Sequence, residues 1–341
     1  MGADNTVDIS PITADLIRQR TEQLRAHIAH TPSIPLSSHL IRQVMGGGHV
    51  ALKLECFQHT GTFKARGALS NAMSITEADK KAGITAASAG NHAIAAAWAA
   101  RVTGLSAKVV MQDNANPFRI ARAEAEGAEV ILRGPGAPTF AEAERLSTEE
   151  GRTFIHPFEG VNTALGTAGV GYEFISDMPD LDAVVVSVGG GGLISGIAAA
   201  VKLHKPGCMV FGVEPTGADS MSRSLVAGQP VTLDKVETIA DSLGPPMALP
   251  LGHALCAAYV DDMVRVTDDQ ICAGMVALQH EAKLAVEPAA GAAMAGLLGP
   301  LRKSLQGKRV GVVVCGANID AATYQAQLLR GMDHYSALMK T

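Results

Sequence analysis

One lysine in this chain stands where an amine could do covalent chemistry. In Gly61-Thr62-Phe63-Lys64-Ala65-Arg66-Gly67, Lys64 lies between an aromatic and a small residue. That setting can strip water from an ammonium and free it to form a Schiff base with a carbonyl compound. Two further stretches keep it company. Ser88-Ala89-Gly90-Asn91-His92 and Gly189-Gly190-Gly191-Gly192-Leu193 each read as a loop leaving a strand and entering a helix, rich in backbone N–H groups that can hold an anion. One lysine and two anion cradles suit a phosphate-bearing aldehyde and a carboxylate substrate.

The elements that must position these residues alternate along the chain. The run 49–55 reads as a strand feeding the Lys64 segment, with a helix from 64 to about 73, so that the lysine stands near a positive helix N-terminus that favours the neutral amine. Between 83 and 159 the pattern is strand 84–87, helix 91–102, strand 107–111, helix 116–126 and strand 129–132, a small parallel α/β unit. A second alternating block begins near Val161, with strands at 183–188, 210–214 and 309–315. An amphipathic helix opens the chain at 13–27, a capping box at Thr267-Asp268-Asp269-Gln270 starts a helix reaching about Leu284, and a last helix covers 320–329. The expected fold class is therefore α/β, with two parallel-sheet domains: 1–82 and 160–341 as the larger, cofactor-binding one, and 83–159 as a small mobile substrate-binding one.

Composition narrows the function. With 47% hydrophobic and 18% charged residues, the 341-residue chain reads as globular, and a net charge of −5 gives no electrostatic reason to bind nucleic acid or an acidic membrane. The five cysteines are scattered and never spaced as Cys-x-x-Cys, which points to a reducing cytoplasm. The polar start is unlike a signal peptide, and no apolar run is long enough to span a bilayer.

From about Ile28 to Gly331 the sequence resembles the fold-type II pyridoxal-phosphate enzymes (tryptophan synthase β-like), and within them the threonine/serine dehydratase and serine racemase group. The resemblance is carried, in the family's order, by Thr-Phe-Lys-Ala-Arg-Gly-Ala, Ser-Ala-Gly-Asn-His, the tetraglycine run, Gly212-Val213-Glu214-Pro215, Glu287-Pro288 and Cys315-Gly316-Ala317-Asn318. It implies pyridoxal 5'-phosphate joined to Lys64, which then serves as the base for the Cα proton. Phe63, Asn91, Gly189, Gly190, Gly191, Gly192, Leu193, Glu287 and Cys315 are the implied cofactor contacts, with Cys315 facing the pyridine nitrogen as a neutral thiol. Ser88, Ala89, Gly90, Asn91, His92 and Asp241 are the implied substrate contacts.

The implied activity is an ammonia-lyase that dehydrates a β-hydroxy-α-amino acid, L-threonine or L-serine by default, in a homodimer. Alanine at position 89 cannot transfer protons, which favours dehydration over racemisation. Hydroxyaspartate as substrate, an amino-acid racemase and a non-catalytic cofactor carrier stay as alternatives. Glu214, Ala218 and Ser220 match the group's divalent-cation site, but serine replaces a carboxylate, so binding of Mg2+ or Ca2+ is left open. A dinucleotide site is the rival for the glycine run; Ile194 and Ser195 fall where its last glycine should be. Only about a dozen residues follow the last expected helix, so feedback through a C-terminal regulatory domain is not expected.

Overall fold

The computed structural model describes residues 7–88 and 90–340. Ten strands form two sheets: β1 (Ser33–Pro35), β2 (His49–Lys53), β3 (Ile84–Ser88), β4 (Ala107–Gln112), β5 (Glu129–Arg133), β6 (Thr153–Phe154), β7 (Ala183–Ser187), β8 (Met209–Pro215), β9 (Asp262–Val266) and β10 (Arg309–Val313). The larger sheet has the order β1-β2-β10-β7-β8-β9 and the smaller β5-β4-β3-β6. All pairings are parallel except β1 with β2. The centre of the larger sheet follows from its composition. β7 (Ala-Val-Val-Val-Ser) is buried along its whole length, as a strand covered by helices on both faces must be.

Most expected elements appear within a residue or two. The opening helix is Ala14–Leu24, begun by Thr13, whose side chain accepts from Leu16 N–H. The capping box at Thr267 is complete and starts Asp268–Ala282. The last helix is longer than expected, Ala321–Leu338. Gly331 sits where this helix crosses Asp268–Ala282 so closely that a Cβ would come within 2.3 Å of the Cys272 carbonyl oxygen. The helix Ala137–Glu150 and the edge strands β1, β6 and β9 had not been expected.

Two cores result. One surrounds the larger sheet and includes the wholly buried helix Pro288–Leu298. The other lies between the smaller sheet, the alanine-rich helix Asn91–Thr103 and the helix Lys64–Ala72, whose Ala65, Ala68, Leu69 and Ala72 are all buried there. The four strands of the smaller sheet all fall within 83–159, while the helix carrying Lys64 packs against their core.

Behind that helix, Arg66 is fully buried and donates to Glu55 (Nε to Oε2, 2.8 Å) and to Glu173 (Nη1 to Oε1, 2.8 Å). Lys53 Nζ lies 2.8 Å from Glu173 Oε2. Four charges locked in one geometry fix the register of the helix two residues beyond Lys64.

Candidate active site

Lys64 is the first residue of its helix. Its amide N–H donates to Thr62 Oγ1 at 3.2 Å, Phe63 N–H donates to the Cys315 carbonyl at 3.1 Å, and Thr62 bridges Gly316, so the backbone around the lysine is pinned to the end of β10. The side chain reaches into a cleft, where Nζ donates to the Pro157 carbonyl. Burial lowers the ammonium to about 8, against the opposing influence of Cys315 and Glu287. The amine is thus far easier to deprotonate than a surface lysine.

Lys64 lines a cavity together with Phe63, Asn91, Gly189 to Leu193, Glu287 and Cys315, all expected, and Phe158, Ser187, Ser242 and Pro245, which were not. The glycine run joins β7 to the helix Ile194–His204. Among the described residues, no acceptor is found for the amide N–H groups of Gly189, Gly190, Gly191, Gly192 and Leu193. Five free donors at a helix start form an anion cradle. The reason the sequence needs glycine here is partly different. A Cβ on Gly190 would lie 2.4 Å from the Phe158 ring, and one on Gly192 would lie 2.6 Å from Phe158 Cα. Gly191 has φ +90°, favourable only to glycine. Phe158 is itself held in place because the neighbouring Glu159 carboxylate accepts from Leu251 and Gly252 N–H at 2.7 and 3.1 Å.

Cys315 lies just past β10, buried, and its sulfur accepts from Ser187 Oγ at 3.5 Å. Burial pushes the thiol upward, so it stays neutral. Asn91 begins the helix Asn91–Thr103, and its Nδ2 donates to both Glu287 oxygens at 2.9 Å. Burial also raises the Glu287 carboxyl, with Arg119 opposing.

In the substrate loop, Gly90 N–H donates to Ser88 Oγ at 3.0 Å, and a Cβ on Gly90 would strike Arg119 Cδ at 2.4 Å. Ala89 lies outside the described residues. His92 is buried, its Nε2 is 2.8 Å from the Ile155 carbonyl, and burial with the nearby Lys64 charge brings it down to about 3, a neutral ring. Asp241 is ion-paired with Arg119, whose Nε and Nη2 donate to the Asn318 carbonyl at 3.1 and 3.0 Å. Arg119 is the main residue that sequence reasoning missed. It is one arginine among several on helix surfaces, and nothing local marks it.

Glu214, Ala218 and Ser220 stand apart from this cavity. Glu214 ends β8 buried, with Oε1 accepting from Met221 N–H at 2.8 Å and Oε2 accepting from Ser222 N–H at 2.8 Å and Ser222 Oγ at 2.5 Å. It anchors the N-terminus of Ser220–Ala227, and burial raises it to about 7. Among the described residues, no cluster of three or more His, Cys, Asp or Glu could hold a metal.

Two α/β lobes with a buried lysine facing a glycine-lined anion cradle define a cofactor-dependent enzyme of the lysine-amine type. A family model described as pyridoxal-phosphate dependent enzyme matches residues 24–316, and the chain belongs to that family. Over 282 residues, 83% of this chain and 86% of the relative, it is 48% identical to the phenylserine dehydratase of Ralstonia pickettii. Over 322 residues, 94% of this chain and 79% of the relative, it is 35% identical to the L-threonine ammonia-lyase of Thermotoga maritima. Maize serine racemase has the same fold-type II architecture, with a TM-score of 0.87, 30% identity, and coverage of 95% of this chain and 99% of that one. No helix among the described residues is long and apolar enough to cross a membrane.

Proposed function

We propose that this protein is a pyridoxal-phosphate-dependent ammonia-lyase acting on a β-hydroxy-α-amino acid. The observation that carries the reading is Lys64, an amine of lowered basicity beside five amides without acceptors in one cavity. The names of the relatives agree with it: phenylserine and threonine share the 2-amino-3-hydroxy acid unit.

Gly189 to Leu193 would take the phosphate, Lys64 the aldehyde, and Cys315 the ring nitrogen, with Asn91, Phe63 and Glu287 bounding the ring. Bound there, the cofactor supplies an electron sink that lets the Cα–H bond of an attached amino acid break heterolytically. Lys64 Nζ would take that proton. Ser88 and the amides of the following loop would hold the carboxylate, with His92 neutral beside them. The β-hydroxyl leaves with its bonding pair and a proton as water. The resulting enamine tautomerises to an imine, water adds, and ammonia departs to leave the 2-oxo acid. Water is released once and consumed once, so the products are isomeric with the substrate.

Racemisation is the second reading, favoured by the likeness to maize serine racemase. Against it stands alanine at position 89, a side chain with no proton to transfer. The buried free cysteines support a reducing cytoplasmic setting, and we expect a homodimer in which 83–159 moves against the rest. A panel of β-hydroxy amino acids, assayed for ammonia and 2-oxo acid with magnesium and with chelator, tests the reading. Oxo acid from at least one, equal in both conditions, is expected. Recovered substrate inverted at Cα without ammonia would favour the racemase.

A further inference from the structure

On the dehydratase reading above, we infer that the preferred substrate carries an aromatic group on its β-carbon. From Lys64 and Phe158 the site opens into an outer space of about 780 Å³ that reaches solvent. A methyl group leaves nearly all of it to water.

One wall of this space is a run of rings. Phe158 meets His156 edge to face with centroids 4.6 Å apart, and His156 is followed by Phe140 at 6.3 Å. Pro245, Pro246 and Met247 also line the space and contribute carbon. Rings flanked by carbon accept a further ring, offset or edge-on, with contact energy beyond area burial alone.

His156 and Arg119, which line the space, are already engaged. His156 Nδ1 accepts from Phe158 and Glu159 N–H at 3.3 and 3.0 Å, and burial with the Lys64 charge holds the ring neutral, at about 4. Arg119 spends its donors on Asn318 and Asp241. Lys235, at the rim, is exposed and paired with Glu237. Among the described residues, neither Arg119 nor Lys235 lines the space without a carboxylate partner, which disfavours hydroxyaspartate. A site whose cations are already paired penalises an anionic substituent and rewards an apolar one.

The test compares phenylserine, L-threonine and β-hydroxyaspartate on the holoenzyme by ammonia release, and the binding of L-phenylalanine and L-alanine, which lack a leaving group, by calorimetry. We expect kcat/KM for phenylserine roughly tenfold or more above threonine, with hydroxyaspartate lowest, and phenylalanine bound roughly tenfold tighter than alanine. Phe140 is 40% exposed, so the fold does not depend on it. Phe140→Ala should lower the phenylserine-to-threonine ratio roughly tenfold, and Phe140→Arg should shift preference toward hydroxyaspartate. Threonine preferred over phenylserine, or a ratio unmoved by Phe140→Ala, overturns the inference. If none of the three releases ammonia, the dehydratase reading falls instead, and a phenylalanine-to-alanine binding ratio near one separately overturns the aromatic pocket.

Discussion

Asn318 Nδ2 donates to Asn91 Oδ1 at 2.9 Å and to the Thr60 carbonyl at 2.7 Å. One buried amide therefore ties the loop after β10 to the helix of the substrate loop and to the segment leading into Lys64. The Asn318 carbonyl, in turn, accepts from Arg119 of the helix Pro117–Ala125.

Asn318→Ala should leave the Asn91 carbonyl oxygen and the Thr60 carbonyl short of a donor in a buried setting. Each unmet group costs about 1–3 kcal/mol. Denaturant unfolding is expected to show a loss of about 2–6 kcal/mol for the two groups together. Steady-state kinetics should show a raised KM, because the helix bearing Asn91 is no longer held at the cavity.

Arg66→Met should be far more damaging, although Arg66 touches neither cavity. Its removal strips Glu55 of its cation and leaves Glu173 with Lys53 alone. Breaking such a buried cluster costs about 3–5 kcal/mol, read as a lowered thermal midpoint. Arg66→Lys should recover only part of this, because a single ammonium cannot donate along two edges as the guanidinium does.

The chemistry was more legible in the sequence than its surroundings. Lys64, the tetraglycine run and the Thr267 capping box are local patterns whose meaning survives folding. The tetraglycine run was nonetheless only half understood, since the need to seat Phe158 against Gly190 and Gly192 involves residues far apart in sequence. Arg119 was missed for the same reason: its partners, Asp241 and Asn318, are brought to it only by the fold. The last helix runs past 329 to Leu338, and Gly331 within it serves the close crossing over Asp268–Ala282. The short edge strands β1 and β9 carry no continuous apolar run, being partly exposed, and so gave no strand signal.

Loading of the apoprotein should depend on pH through Lys64. Only the neutral amine attacks an aldehyde, and burial has lowered the ammonium to about 8. The second-order rate of Schiff-base formation, followed by absorbance at fixed pyridoxal phosphate, should climb about tenfold per pH unit below that value and level off above it. A midpoint near that of a solvated lysine would mean that the amine is not buried as described.

The most direct measurement is borohydride reduction of the cofactor-saturated protein, followed by peptide mass spectrometry. A pyridoxyl-phosphate mass on the peptide containing Lys64, and its absence together with the loss of Schiff-base absorbance and oxo-acid production in Lys64→Ala, is the expected result. The added mass on a different lysine, or oxo acid still formed by Lys64→Ala, would contradict the account.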